Sequence, residues 1–356
     1  GNGFRNDHDI AQAPVVVIGD SFVEAGLVPK SELLTSGLGR LLQVEVANLG
    51  QSGYGPQQEL IALRRFGMNL NPKLVLWFFF EGNDLLDVPR YERTVRSWDE
   101  IMKERDSLKE RSFTNNALLA LAGLTSPKLR ADSDEARKRS GRFMRGPEES
   151  TIYFAYAGAP LSQNDLTSLE TVKSCLLQAR DLCRSAGAEL MLVYVPTKYR
   201  VYRDLCEFPD DGYGKTWQLN DLPSRFEDWC KTETIPYIDL TAPLKESAER
   251  GELVYFSDDG HWNARGHEVV TRAIAGFLES SKALKDGKLQ GPIGSRYERE
   301  FQPQRAQRFA EEDLRFHIVL TNPLRTSAPS AVNNLSLVRE LKDSGKLQTP
   351  VALKKD

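Results

Sequence analysis

Seven consecutive apolar residues, LVLWFFF at 74–80, constrain this chain more than any other feature. The run is far short of the roughly 18–20 residues that span a bilayer. It also lacks the in-out alternation of a half-exposed strand. A strand apolar on both faces is covered on both, as the inner strands of a parallel sheet are. The neighbouring segments agree. PVVVIG (14–19), VEVANLG (44–50), ELMLVYVP (189–196) and IPYIDL (235–240) are further strand-length runs. Between them lie helical patterns at 31–42, 56–70, 222–233 and 264–284. Another starts at 164, with Leu166, Leu169, Val172, Leu176 and Cys183 on one face and Gly187 as its stop.

This alternation predicts an α/β protein, a three-layer α/β/α sandwich on a central parallel sheet of about five strands. Right-handed crossovers favour the flavodoxin-like order 2-1-3-4-5. The rhythm breaks once, at about 85–160, a charged stretch without a clear strand that reads as a cap-like, partly helical insertion. Within it NALLALAGL (116–124) is a short helix candidate. EARKRSGRFMR (135–145) is a basic run, either a solvated face or a polyanion contact. The expected organisation is one domain over 1–284 and a C-terminal extension over 285–356 holding one strand-like piece, LRFHIVL (314–320).

Composition narrows the classes of function. Of the 356 residues, 40% are hydrophobic and 27% charged, an ordinary globular balance, and a net charge of −3 gives no nucleic-acid signature. No apolar run is of transmembrane length. The four cysteines form no CxxC pair, which argues against zinc. Cys175 and Cys183 share one predicted helix and cannot bridge each other, while the state of Cys206 and Cys230 stays open. The opening GNGFRNDHDI reads as a cut into a longer protein, with any signal or anchor ahead of it.

The carboxyl ends of parallel strands share one edge, where ligands bind. Strand one is followed there by Asp20-Ser21, strand two by GQSGYGP, strand three by EGNDL, strand four by PTKYRVY, and strand five leads to SDDGHWN. Asp20 or Ser21 is a good helix N-cap, and Asn83-Asp84 is a good turn. Ser21 is also a nucleophile if a base and an orienting carboxylate reach it. His261 is the candidate base and Asp258 the candidate orienter, with Asp259 the alternative in the same loop. The N–H groups of Ser21 and Gly53 and the Asn83 amide would form a three-donor oxyanion hole. His267 reads as a surface or capping histidine of the last helix, and no acidic context singles out His8 or His317.

GDSF (19–22), SGYG (52–55), GND (82–84) and DDGH (258–261) resemble, in order, the four blocks of the SGNH hydrolases, or GDSL-type esterases. Phe22 stands where the family name has Leu. The resemblance spans 14–280 and leaves out the insertion and the tail. It implies Ser21 as nucleophile, Gly53 and Asn83 in the oxyanion hole, and Asp258 and His261 completing the triad, with no metal or organic cofactor. The expected activity is hydrolysis of a small-molecule or glycan ester through an acyl-enzyme. The alternative is O-acyl transfer to a polysaccharide, to which VPTKYRVY (195–202) adds a likeness to alginate-acetylation relatives. A third reading is a binding module that has lost the chemistry. An exported or envelope-anchored bacterial protein is the expected setting.

Overall fold

A computed structural model describes residues 3–104, 134–145 and 150–280, with a short antiparallel strand pair at Leu284–Lys285 and Lys288–Leu289. The segments predicted at 116–124 and 314–320 lie outside the described residues. The strands ahead of that pair are β1 (Val15–Ile18), β2 (Val46–Asn48), β3 (Leu74–Phe80), β4 (Ser140–Phe143), β5 (Ser150–Tyr153), β6 (Glu189–Val195), β7 (Cys206–Glu207) and β8 (Tyr237–Asp239).

Five of these form one parallel sheet in the order β2-β1-β3-β6-β8. Counted along the chain this is the flavodoxin-like order 2-1-3-4-5. β3 lies in the middle, buried at all seven residues and paired with β6 over its whole length. Its side chains divide between two cores. Leu76, Phe78 and Phe80 meet Leu34, Leu38, Val270 and Ile274 from the helices Leu34–Leu42 and Ala264–Ser280. Val75, Trp77 and Phe79 meet Leu60, Val172, Leu176 and Phe226 from the helices Pro56–Ala62, Gln163–Ser185 and Leu222–Glu233. The helix at 163–185 starts at a capping box in which Ser162 and Asp165 bond each other's backbone N–H. All four cysteines are free.

The described part of 85–160 is partly helical, as expected, and departs from its reading in holding strands. A helix, Asp84–Glu104, leaves directly from the β3 exit, with Pro89 inside it. Proline and dense charge hid the periodicity. Strands are also present where none was expected. β4 and β5 form an antiparallel hairpin, and β4 also pairs with β7. Four-residue strands with polar outward positions carry too little pattern to stand out. Their inward residues are core: Phe143 and Ile152, with Phe154 just past β5, are fully buried, and Phe143 meets Tyr202 edge-on at 5.3 Å. The basic run is a paired face. Arg137 bridges Asp134 and Asp211, Lys138 pairs with Asp134, Arg139 with Glu135 and Arg142 with Glu207.

Because Phe143 joins the hairpin to the main core, Phe143→Ala should cost about 3–5 kcal/mol in denaturant melts. Leu27→Ala, at a residue 61% exposed, should stay within about 0.5 kcal/mol. Equal effects of the two would mean that the hairpin is not part of the core.

Candidate active site

β1 ends at Ile18, and a four-residue helix begins at Ser21. Asp20 caps it, its Oδ1 accepting the Phe22 N–H at 2.9 Å. The cap is therefore Asp20, and the Ser21 hydroxyl is left for another partner. Its Oγ lies 2.7 Å from Nε2 of His261. Gly50, at the β2 exit, lets that turn pack flush on the helix, since a Cβ there would lie 2.4 Å from the Glu24 nitrogen. Arg5 closes the far end by donating to the carbonyls of Glu24, Ala25 and Val28. Phe22 lies against the His261 ring, centroids 4.9 Å apart.

The loop carrying His261 is pinched shut by a bridge between Tyr255 and Trp262 and by the Phe256 N–H donating to the His261 carbonyl at 3.0 Å. Inside it Asp259 Oδ1 accepts the His261 backbone N–H at 2.8 Å and meets Nδ1 of the ring at 2.5 Å. This corrects the expected pairing: Asp258 makes no hydrogen bond to His261. The reason is local. An aspartate folds back on the backbone N–H two residues ahead, and here that geometry carries the carboxylate to the ring of the same residue. Burial pushes the Asp259 carboxyl up, but the backbone N–H and ring of His261 together hold it below the ordinary aspartate value. An ionised Asp259 accepting from Nδ1–H leaves Nε2 as the acceptor for the Ser21 hydroxyl.

A cavity of about 300 Å³ opens beside these groups, lined in part by Ser21, Phe22, Leu27, Ser52, His261 and Trp262. Gly53 sits in the turn next to Ser52 with φ +80°, a left-handed conformation that favours glycine. Ser52 donates its N–H to Glu24 at 2.6 Å, tying this turn to the Ser21 helix. Asn83 precedes the helix at 84–104, and its amide favours ionisation of Asp20. Burial works the other way and is stronger, pushing Asp20 up to about 6. Glu59 and Asp84, buried nearby, are raised by the same cause.

His267 is neither exposed nor a cap of its own helix. It is buried, its Nδ1 accepts the Leu34 N–H at 3.3 Å, and its ring meets Trp262 edge-on. Burial pulls its pKa down to about 4, so it stays neutral there. His8 lies 3.4 Å from Glu45 on the surface. His317 lies outside the described residues.

A family described as "SGNH hydrolase-like domain, acetyltransferase AlgX" matches residues 156–333, half of the chain. The chain belongs to the SGNH hydrolase-like family. The matched range contains Asp259 and His261 and begins after Ser21, Gly53 and Asn83. A probable alginate O-acetylase AlgJ of Pseudomonas putida KT2440 is 32% identical over 115 residues, which is 32% of this chain and 28% of that protein. Its counterpart in Pseudomonas syringae pv. tomato DC3000 is 27% identical over 124 residues, 35% of this chain and 29% of that protein. The aligned stretch thus spans under a third of either relative. Among solved structures, the acetyl xylan esterase AlAXEase aligns at 12% identity and TM-score 0.39, over 74% of this chain and 98% of that one.

One residue of the VPTKYRVY stretch had no role of its own in the sequence analysis. Lys198, at the β6 exit, is buried and donates to the carbonyls of Phe256, Ser257 and Asp259. Burial pulls its pKa down to about 7, opposed by the Asp259 and Asp258 carboxylates. Its place at the same edge as the SGNH blocks was the available signal.

Two outcomes follow from this geometry. Asp259→Asn should lower kcat on an activated ester by about 10²–10⁴-fold, with Asp258→Asn near the wild-type rate; the reverse ranking would restore Asp258. Asp20 supplies a pH test. Its folded pKa is raised, so its contribution to stability is whole below about pH 4 and is lost as pH rises to about 6. Asp20→Asn keeps an oxygen for the Phe22 N–H and cannot ionise. It should gain stability relative to wild type between those pH values in urea melts, and a flat difference would contradict the burial argument.

Proposed function

We propose that this chain is a serine-dependent O-acetyltransferase that moves a short acyl group onto a polysaccharide hydroxyl. The observation that carries the reading is the line Ser21 Oγ, His261 Nε2, His261 Nδ1, Asp259 Oδ1, with contacts of 2.7 and 2.5 Å at its two ends. The names of the matching family and relatives, acetyltransferase and alginate O-acetylase, support transfer over hydrolysis.

In the first step Ser21 Oγ attacks the donor's acyl carbonyl while Nε2 of His261 takes the hydroxyl proton. The tetrahedral oxyanion is held by the Ser21 and Gly53 N–H groups and the Asn83 amide. Collapse expels the donor alcohol, which leaves with the proton from His261, and the acyl group stays on Ser21. In the second step His261 takes the proton of a sugar hydroxyl, that oxygen attacks the acyl carbon, and Ser21 leaves with the proton returned. Asp259 keeps the ring in the required tautomer and stabilises its cationic form. The cavity beside Ser21, walled by Phe22, Ala25, Leu27, Val28 and Trp262, suits a short acyl chain.

A second reading, ester hydrolysis, has its own observation. The His261 and Asp259 side chains are 29% and 41% exposed, so water reaches the base. The two readings differ only in what captures the acyl-enzyme. With p-nitrophenyl acetate as donor, mannuronate oligosaccharides should speed nitrophenol release and appear acetylated by mass spectrometry. Free acetate alone at saturating acceptor would overturn transfer in favour of hydrolysis.

A further inference from the structure

Three carbonyl oxygens converge on the Lys198 ammonium, from Phe256 at 2.5 Å, Ser257 at 2.9 Å and Asp259 at 3.0 Å. An ammonium has three N–H donors, and each here has an acceptor in the loop that ends at His261. The same short segment reaches the other way. The N–H and hydroxyl of Thr197 donate to Glu81 Oε2 at 2.9 and 3.1 Å, and Arg200 Nε donates to both Glu81 oxygens at 3.0 and 2.9 Å. Arg200 also bonds both oxygens of Asn220. Glu81 lies two residues before Asn83, so the β6 exit binds both the turn that holds Asn83 and the loop that holds the base.

We propose that Lys198 is a positioning residue that sets the Asp259–His261 loop against Ser21, with the Glu81–Arg200 pair fixing the segment from which it reaches. This rests on the acyl-transfer reading of the same site. Three carbonyl dipoles aimed at one point repel one another unless a cation lies among them, and the protonated form of Lys198 is that cation. Its bonds run to backbone oxygens at 256, 257 and 259, so they fix the path of the loop, whereas a bond to one side chain would fix only a rotamer. Without the ammonium the loop can relax outward, carrying His261 from Ser21. A misplacement of about 1 Å costs on the order of 10²-fold in rate. The loss falls on kcat, because no atom of Lys198 is needed to bind the ester.

The test uses Lys198→Ala, with Lys198→Met as a second variant that retains side-chain volume should the first not fold. Hydrogen exchange read on the peptides covering 253–263 should quicken in both variants, while the β1 and β3 peptides stay protected. Turnover of p-nitrophenyl acetate should fall about 10²-fold in kcat with KM nearly unchanged. Added n-propylammonium, which supplies the deleted methylenes and ammonium, should restore part of both signals in Lys198→Ala. Tetramethylammonium, which has no N–H donor, should restore neither. Wild-type exchange in the loop, or quickened exchange with unchanged kcat, would overturn the proposal. Should wild type and Ser21→Ala prove equally inert on every ester, the acyl-transfer reading fails, while the exchange and rescue measurements still decide whether Lys198 holds the loop.

Discussion

A parallel sheet covered on both faces leaves one place for polar chemistry, the edge where its strands end. β3 shows the constraint in its strictest form, since all of its side chains are buried and consecutive ones enter different cores. Polar groups close behind that edge carry the consequences. Asp20, Glu59 and Asp84 are buried and held toward their neutral forms. Each has at least one firm hydrogen bond, to the Phe22 N–H, the Trp77 indole and the Phe80 N–H respectively. These bonds secure the β1 and β3 exits, which present Ser21 and Asn83.

His261, the base of the proposed reaction, is held differently. Its loop has little secondary structure, one bridge and one turn. Backbone bonds from several directions compensate: Lys198 grips three carbonyls, the Tyr153 N–H donates to the Ser257 carbonyl at 2.8 Å, and the Asn263 amide binds those of Leu253 and Tyr255. Tyr153 belongs to the β4–β5 hairpin, so the region inserted between β3 and β6 also reaches the loop of the base. In the proposed reaction this preorganisation sets the ring before substrate arrives, so that a triad need not reorient during the reaction.

Much of this was legible from the residues. Uninterrupted apolar runs and the helices between them define the five-stranded sheet, because burial on both faces leaves an unmistakable pattern. Ser21 and His261 could be placed at one edge by topology. The Asp258 pairing that the resemblance implies does not form, because the fold-back on an N–H two residues ahead selects Asp259. The β4–β5 hairpin escaped because Ser140–Phe143 lies in a run of charge whose partners, such as Asp211 and Glu207, are distant in sequence. His267 and Lys198 escaped for one reason: a polar residue buried by tertiary contacts looks, in one dimension, like a polar residue on the surface.

In the proposed reaction Ser21 carries the acyl group, and His261 and Asp259 put it there. Peptide mapping after rapid quench with p-nitrophenyl acetate tests it most directly. An acetyl group is expected on the Ser21 peptide of the wild type, and none on that peptide in Ser21→Ala or His261→Ala within the same interval. Acetylation elsewhere that matches turnover, or Ser21 labelled equally fast without His261, would contradict it.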